Sequence, residues 1–347
     1  MKRDAHIDAA KGILIALVVF GHVLEAMDPW RDDAVRAWLT FIYNFHMPAF
    51  AFLAGVTAPR GRSGDRTTNL LILLCLFQAI SMALWLNLPP WRTFDLASPF
   101  WTLWFLLALV WWQGLAGWIR RAPRSALAIS VLAALAAGTC EFFDDTLALS
   151  RTLVFLPFFT AGAAWGASLF DRARRMSLPH SWLLTSGALL ISCTVVSFGV
   201  ERHWLFGSHG YAELGVDFLE GIATRTLLTC VAATMTCVVI AWATRIDRGP
   251  LCTAGRYSLS VYLLHGPLVM LLQPEIRGMF VGDQGPAAWS LCLLLTIGLL
   301  ALLSRPEPDR CIRRSVTVLR AAIAYSRTKL RTGSTVGRTM TRIDDPT

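Results

Sequence analysis

Asp8-Ala9-Ala10-Lys11-Gly12-Ile13-Leu14-Ile15-Ala16-Leu17-Val18-Val19-Phe20-Gly21-His22, continued by Val23-Leu24-Glu25, sets a cation near the start of an apolar run and an imidazole and a carboxylate near its end. The hydrocarbon core of a bilayer is about 30 Å thick and takes roughly 20 helical residues to cross. The run over about 10–27 supplies them. It is longer than the core of a secretory signal and no small-residue cleavage site follows, so it is predicted to remain as a span.

The same reading recurs outward from this segment, at about 38–56, 69–88, 99–119, 124–140, 152–170, 181–200, 222–243, 257–274 and 286–304. The fifth of these is the weakest by length. Composition agrees: hydrophobic residues make up 55% of the 347 and charged residues 16%, against about 25% charged in a soluble domain. The fold class expected is all-α, a polytopic transmembrane helix bundle of about ten spans.

Loop charges test that count. Lys2, Arg3 and Lys11, then Arg60, Arg62 and Arg66, then Arg120, Arg121 and Arg124, then Arg172, Arg174 and Arg175, then Arg245, Arg248 and Arg256 fall on one side. The other side holds Arg31, Arg36, Arg92, Arg151, Arg202 and Arg277. Basic residues concentrate in cytoplasmic loops, so both termini are expected in the cytoplasm, at a bacterial inner membrane. Residues 1–304 form the membrane domain and 305–347 a basic cytoplasmic tail, attracted to anionic membrane lipid. The net charge of +9 is therefore a membrane signature, and no motif for base recognition points to nucleic acid. The eight cysteines form no CxxC and most lie in apolar segments; no metal site is expected.

Ionisable groups at membrane depth are costly and mark function. Here they are Lys11, His22, Glu25, His46, Arg225 and His265. Eleven helical steps separate Lys11 from His22, which returns them to within about 20° of one face at a rise of roughly 16 Å. A cation at the cytoplasmic mouth and an imidazole deeper in suit a long ligand with an anionic head and a reactive end, a description acyl-CoA satisfies. Glu25, three residues on, can orient the imidazole or stabilise its charged form. His46 precedes Pro48 and His265 precedes Pro267, so each lies beside a backbone group freed by proline; either is also compatible with an interhelical hydrogen-bonder. The far-side loop Glu201–Gly221 is aromatic and acidic, with Trp204 among its rings. That composition suits a sugar, but an ordinary interfacial belt accounts for it more simply.

Three blocks resemble the acyltransferase-3 family of bacterial membrane O-acyltransferases, in its fucose 4-O-acetylase-like and exopolysaccharide acetyltransferase branches. They are Asp8-x-x-Lys11-Gly12 with Val18-Val19-Phe20-Gly21-His22, then Phe45-His46-Met47-Pro48-Ala49-Phe50-Ala51-Phe52-Leu53-Ala54-Gly55, then Tyr257-Ser258-Leu259-Ser260-Val261-Tyr262-Leu263-Leu264-His265. Ala51 and Ala54 depart from the family's second block, and Lys11 stands where Arg is more frequent. The resemblance implies ten core spans, cytoplasmic acyl-CoA as donor and a sugar acceptor on an extracytoplasmic or lipid-linked glycan. It places His22 at the essential histidine and Lys11 at the basic position that meets the donor. The expectation is then an O-acyltransferase in which Asp8, Lys11, Arg60, Arg62 and Arg66 hold the donor and His22 is the base, supported by Glu25. His46, Tyr262 or His265 would polarise the thioester or position the sugar, with Arg225, Glu201 and Trp204 on the acceptor side. Direct transfer and an acyl-histidine intermediate both stay open. Buried histidines in ten spans would also serve a secondary transporter or glycan exporter as proton relays.

Overall fold

The computed structural model describes residues 4–27, 30, 32–59, 64–85, 98–139, 146–279 and 285–339, and among them every regular element is helical. In chain order these are α1 (Ala5–Met27), α2 (Asp33–Val56), α3 (Gly64–Trp85), α4 (Trp104–Arg121), α5 (Pro123–Ala136), α6 (Leu149–Arg175) and α7 (Leu178–Ser197). There follow α8 (Arg202–Phe206), α9 (Phe218–Ala243), α10 (Pro250–Arg256), α11 (Ser258–Met279), α12 (Pro286–Leu303) and α13 (Pro306–Thr339). Nine helices among the described residues are long and apolar enough to cross a membrane, so the protein is a multi-pass membrane protein.

The fifth expected span differs in length. α5 has 14 residues, about 21 Å at 1.5 Å per residue. Its stripe of Ala126, Ser130 and Ala134 is buried, and hydrogen-bonded turns extend it to Thr139. Tyr211, in the loop before α9, donates from its backbone to Gly138 O at 2.6 Å and from its hydroxyl to Leu135 O at 2.9 Å. By itself α5 is shorter than the roughly 30 Å hydrocarbon core, and its far end is tied to the loop before α9.

Contacts between distant helix ends sort into two sets. At the N-terminal end, Asp4 pairs with Arg174 at 2.7 Å, His6 approaches Ile246 O at 3.3 Å, and Arg245 donates to Met176 O at 3.0 Å. Arg320 of α13 reaches Asp65 at 2.6 Å and Asn69 at 3.1 Å at the start of α3. At the opposite end, Ser150 Oγ donates to Gly207 O at 2.8 Å. These ties join positions that the loop charges assign to one side, so the bundle has a basic end and a far end.

α2 and α1 are central: 72% and 61% of their apolar windows are buried, against 22% for α7. Glycine permits the tightest approaches, since helices in a membrane associate by close packing rather than by a hydrophobic drive. A Cβ on Gly162 of α6 would lie 2.0 Å from Phe52 O of α2, and one on Gly55 of α2 would lie 2.1 Å from Phe159 O of α6. The pair α1 and α10 repeats this, with Gly12 against Leu251 O and Gly255 against Asp8 O. α13 seats Ile312 and Val316 in a cluster with Leu70, Leu73 and Leu263, and Ser260 of α11 donates to its Asp309 at 3.4 Å.

Candidate active site

α1, α2 and α11 bring His22, Glu25, His46 and His265 together. Glu25 lies one helical turn beyond His22, and its Oε2 is 3.5 Å from His22 Nδ1. Two donors hold that carboxylate. The Tyr43 hydroxyl donates to Oε2 at 2.9 Å, and Trp30 Nε1 donates to Oε1 at 3.1 Å. Tyr43 also sits 3.3 Å from His22 Nδ1. A carboxylate facing Nδ1 favours the tautomer protonated there and leaves Nε2 with the lone pair. His265 faces His22 with ring centroids 5.3 Å apart, and the Trp101 ring meets His22 edge-on at 4.7 Å. His46 adjoins Tyr43 at 4.9 Å.

Tyr43, Trp30 and Trp101 did not stand out in the sequence. Tyr43 precedes His46 by three positions on α2, the spacing that puts two side chains on one helix face, and that was the available signal. Trp30 (φ +67°) and Trp101 (φ +37°) both hold left-handed backbone, costly for a bulky residue at about 1–3 kcal/mol each. Both rings touch the Glu25–His22 pair directly, Trp30 at Glu25 and Trp101 at His22; Leu147 and Ala148, before α6, share this backbone region at φ +53°.

His46 and His265 each direct Nδ1 at the carbonyl one turn back, Ile42 O at 2.8 Å and Val261 O at 2.9 Å. A carbonyl only accepts, so Nδ1 carries the proton in both rings and Nε2 is an acceptor in the neutral form. The Nε2 of His265 is buried without a partner. The Tyr262 hydroxyl donates to Thr102 O, in the turn before α4. None of the three neutral groups therefore has a proton to offer a thioester oxygen, which corrects the polarising role expected of them. What remains for His265 is to accept a hydrogen bond from a bound hydroxyl.

At the basic end, Asp8 is buried and Lys11 half-buried, and each has an interaction partner. Arg66 is exposed and donates to Thr57 O at 3.0 Å; Arg60 and Arg62 lie outside the described residues. Lys11 and His22 do share a face of the unbroken α1, but Ile15 (0% exposed) and Val18 (3%) lie between them on it. Both belong to an apolar cluster that includes Val261 and Val269 of α11. The groove expected along this face is thus filled by packed apolar side chains.

Glu201, Trp204 and Arg225 gather in the far-end loop. Glu201 caps α8, accepting from His203 N at 2.7 Å, and pairs with the His203 ring at 2.6 Å. Trp204 is buried and stacked on Tyr211 at 5.8 Å. Arg225 does not reach outward: it is 2% exposed, with its guanidinium over Trp204 at 5.2 Å and over Tyr211 at 5.8 Å. These contacts occupy the Trp204 ring, which is therefore a support for Arg225 and no sugar platform. Partial burial holds His203 below the ordinary histidine range, with Glu201 opposing and the stacked His209 adding to the shift. Burial raises Tyr211, against the opposing charge of Arg225. Phe206 links this loop to the core, lying 6.0 Å from Trp30 and 5.8 Å from Tyr43.

The chain is similar to the nodulation protein NolL of Sinorhizobium fredii, with 26% identity over 309 residues that cover 78% of this chain and 79% of that one. A stretch of 55 residues, 15% of each chain, is 44% identical to NolL of Mesorhizobium japonicum. No solved structure matches. Residues 4–305 match the family described as an acyltransferase domain, which spans every helix that carries the histidines, and the chain belongs to the acyltransferase-3 family.

Proposed function

We propose that this membrane acyltransferase moves an acyl group, acetyl in the simplest case, from acyl-CoA to a sugar hydroxyl of an extracytoplasmic or lipid-linked glycan. The basic end of the bundle then faces the cytoplasm of a bacterial cell, as the bias of Lys and Arg toward that end favours. One observation carries the reading: His22 sits with Nδ1 toward a carboxylate that Tyr43 and Trp30 hold in place. This is how a general base is oriented and its cation stabilised.

In the step proposed, the acceptor hydroxyl gives its proton to His22 Nε2 as its oxygen attacks the thioester carbonyl. The tetrahedral adduct collapses, the carbon–sulfur bond breaks, and the His22 imidazolium returns the proton to the CoA sulfur. Glu25 stabilises the imidazolium between those events. Such a base contributes typically 10²–10⁴-fold. Lys11 and Arg66 supply positive charge for the CoA phosphates at the basic end, where a lysine acts as a point charge.

The test uses membranes containing wild type or His22→Ala, supplied with radiolabelled acetyl-CoA and a surface glycan fraction. Label is followed into alkali-labile ester. Ester made by wild type and lost in His22→Ala at equal protein level supports the reading; equal transfer by both overturns it.

A further inference from the structure

The membrane-facing surface between α7 and α9 is indented by a groove of about 430 Å³. Leu183, Leu184, Gly187, Ala188 and Ile191 line it from α7 and Thr234 from α9. At the basic end it runs into a second concavity bordered by Arg172, Arg175, Ser177 and His180. From His180 to Ile191 is eleven helical steps, about 16 Å, or roughly half of a hydrocarbon core about 30 Å thick. The groove is one leaflet deep and polar at one end only.

The level of its mouth is marked independently. Trp182 and Trp242 meet edge to face at 4.8 Å, and Arg245 lies over the Trp242 ring at 5.7 Å. Tryptophans and arginines of this kind settle at the headgroup layer. The charge at the mouth is uncompensated. Arg174 is neutralised by Asp4 at 2.7 Å and Asp171 at 2.6 Å. Arg172 and Arg175 are exposed and have no ion-pair partner among the described residues. His180 is exposed beside them, its Nδ1 at 2.6 Å from Ser177 Oγ.

We infer that this groove holds an anionic glycerophospholipid of the leaflet at the basic end. One acyl chain lies along α7 over Gly187, and the phosphate sits among Arg172, Arg175 and His180. A zwitterionic lipid would bring a further cation to a mouth that already carries two without a counter-charge. A second copy of the chain fits less well. Two-fold packing in a membrane sets like depths against each other, and that would oppose the same arginines. The inference rests on the chain spanning a membrane and not on the acyl-transfer reaction.

Gly187 suits the test, because a Cβ there would meet nothing within 4 Å; Gly187→Phe places a ring in the groove, and a thermal melt checks that the fold is kept. Native mass spectrometry of the full-length protein, offered phosphatidylglycerol and phosphatidylcholine, reads the retained lipid. Wild type is expected to keep phosphatidylglycerol preferentially. Arg172→Gln with Arg175→Gln should weaken that retention on the order of 30-fold, from about fivefold per basic residue, and Gly187→Phe should lose both lipids. Equal retention of the two lipids by wild type overturns the inference, as does an unchanged preference in the double variant. A dimer mass that disappears in Gly187→Phe assigns the groove to a second copy and overturns it too.

Discussion

His22 on α1 and His265 on α11 face each other with ring centroids 5.3 Å apart and ring planes inclined by 34°. Only His22 has a carboxylate beside it. A hydroxyl held between the rings can donate to either Nε2, but the imidazolium that results is stabilised at His22 alone. Removal of His22 should therefore cost transfer by about 10²–10⁴-fold. His265→Ala, which deletes one hydrogen-bond acceptor, should cost roughly ten- to a hundredfold, mainly as a raised acceptor KM. Steady-state transfer with varied acceptor separates the two, and a larger loss in His265→Ala than in His22→Ala would reverse the assignment.

Tyr43 joins both members of the pair. Tyr43→Phe keeps the ring contacts to Trp30, His46 and Phe206 while deleting the hydroxyl on Glu25. kcat should fall about tenfold, the worth of one buried hydrogen bond to a charged group, with the donor KM unchanged. A thermal melt in detergent checks that the loss is in catalysis and not in folding.

Lys11 lies about 16 Å below His22 along α1, too far to touch the reacting carbon. Lys11→Ala is expected to raise the KM for acyl-CoA roughly ten- to a hundredfold, as for loss of a charged hydrogen-bonding partner, and to leave kcat nearly intact. A fall in kcat at unchanged donor KM would contradict its place on the donor.

The glycine crossings give a matched pair for stability. Gly162→Ala drives a Cβ to 2.0 Å from Phe52 O, whereas a Cβ on Gly114 meets nothing within 4 Å. Gly162→Ala should lower the melting temperature and the yield of folded protein, since a forced shift in a packed interface costs about 1–3 kcal/mol. Gly114→Ala should be neutral or stabilising by up to about 1 kcal/mol.

The far-end loop should loosen in acid. His203 is held below the ordinary histidine value, so the folded loop resists a proton that the unfolded loop accepts near pH 6.5. Its stability is full above that value and declines as pH falls through it, the more so because a charged His203 would sit stacked on His209 at 4.0 Å. Hydrogen exchange over residues 201–217 should be faster at pH 5 than at pH 7.5, and His203→Phe should flatten the difference.

How much of this was legible in the sequence follows from what each side chain depends on. The spans were, because crossing a bilayer demands a run of about 20 apolar residues that no other constraint imitates. So was the shared face of Lys11 and His22, since helix geometry alone sets it. The filling of that face by Ile15 and Val18 was not, because it depends on how closely the neighbouring helices pack. Arg225 and Trp204 read as an acceptor site when the direction of an arginine side chain was unknown; inward, the same two residues become a cation on a ring. Tyr43 escaped notice because a lone tyrosine in an apolar span looks like an interfacial ring until its neighbours across the helix gap are in place. α5 read as a full span because its Ala/Leu-rich composition and basic flanks are those of one, whereas its helix stops at Ala136.

The imidazoles of His46 and His265 take their protonation pattern from the carbonyls of their own helices. Because the partner is main chain, the pattern is inherited with the helix and does not depend on the identity of any neighbouring residue. Drift among the surrounding side chains can reshape the cavity for a different acceptor without disturbing which nitrogen bears the proton. Only a change that breaks the turn itself, such as a proline or an insertion between positions 42 and 46 or between 261 and 265, would undo it. The acceptor side of such an enzyme is thus free to diversify while its acid–base state is kept.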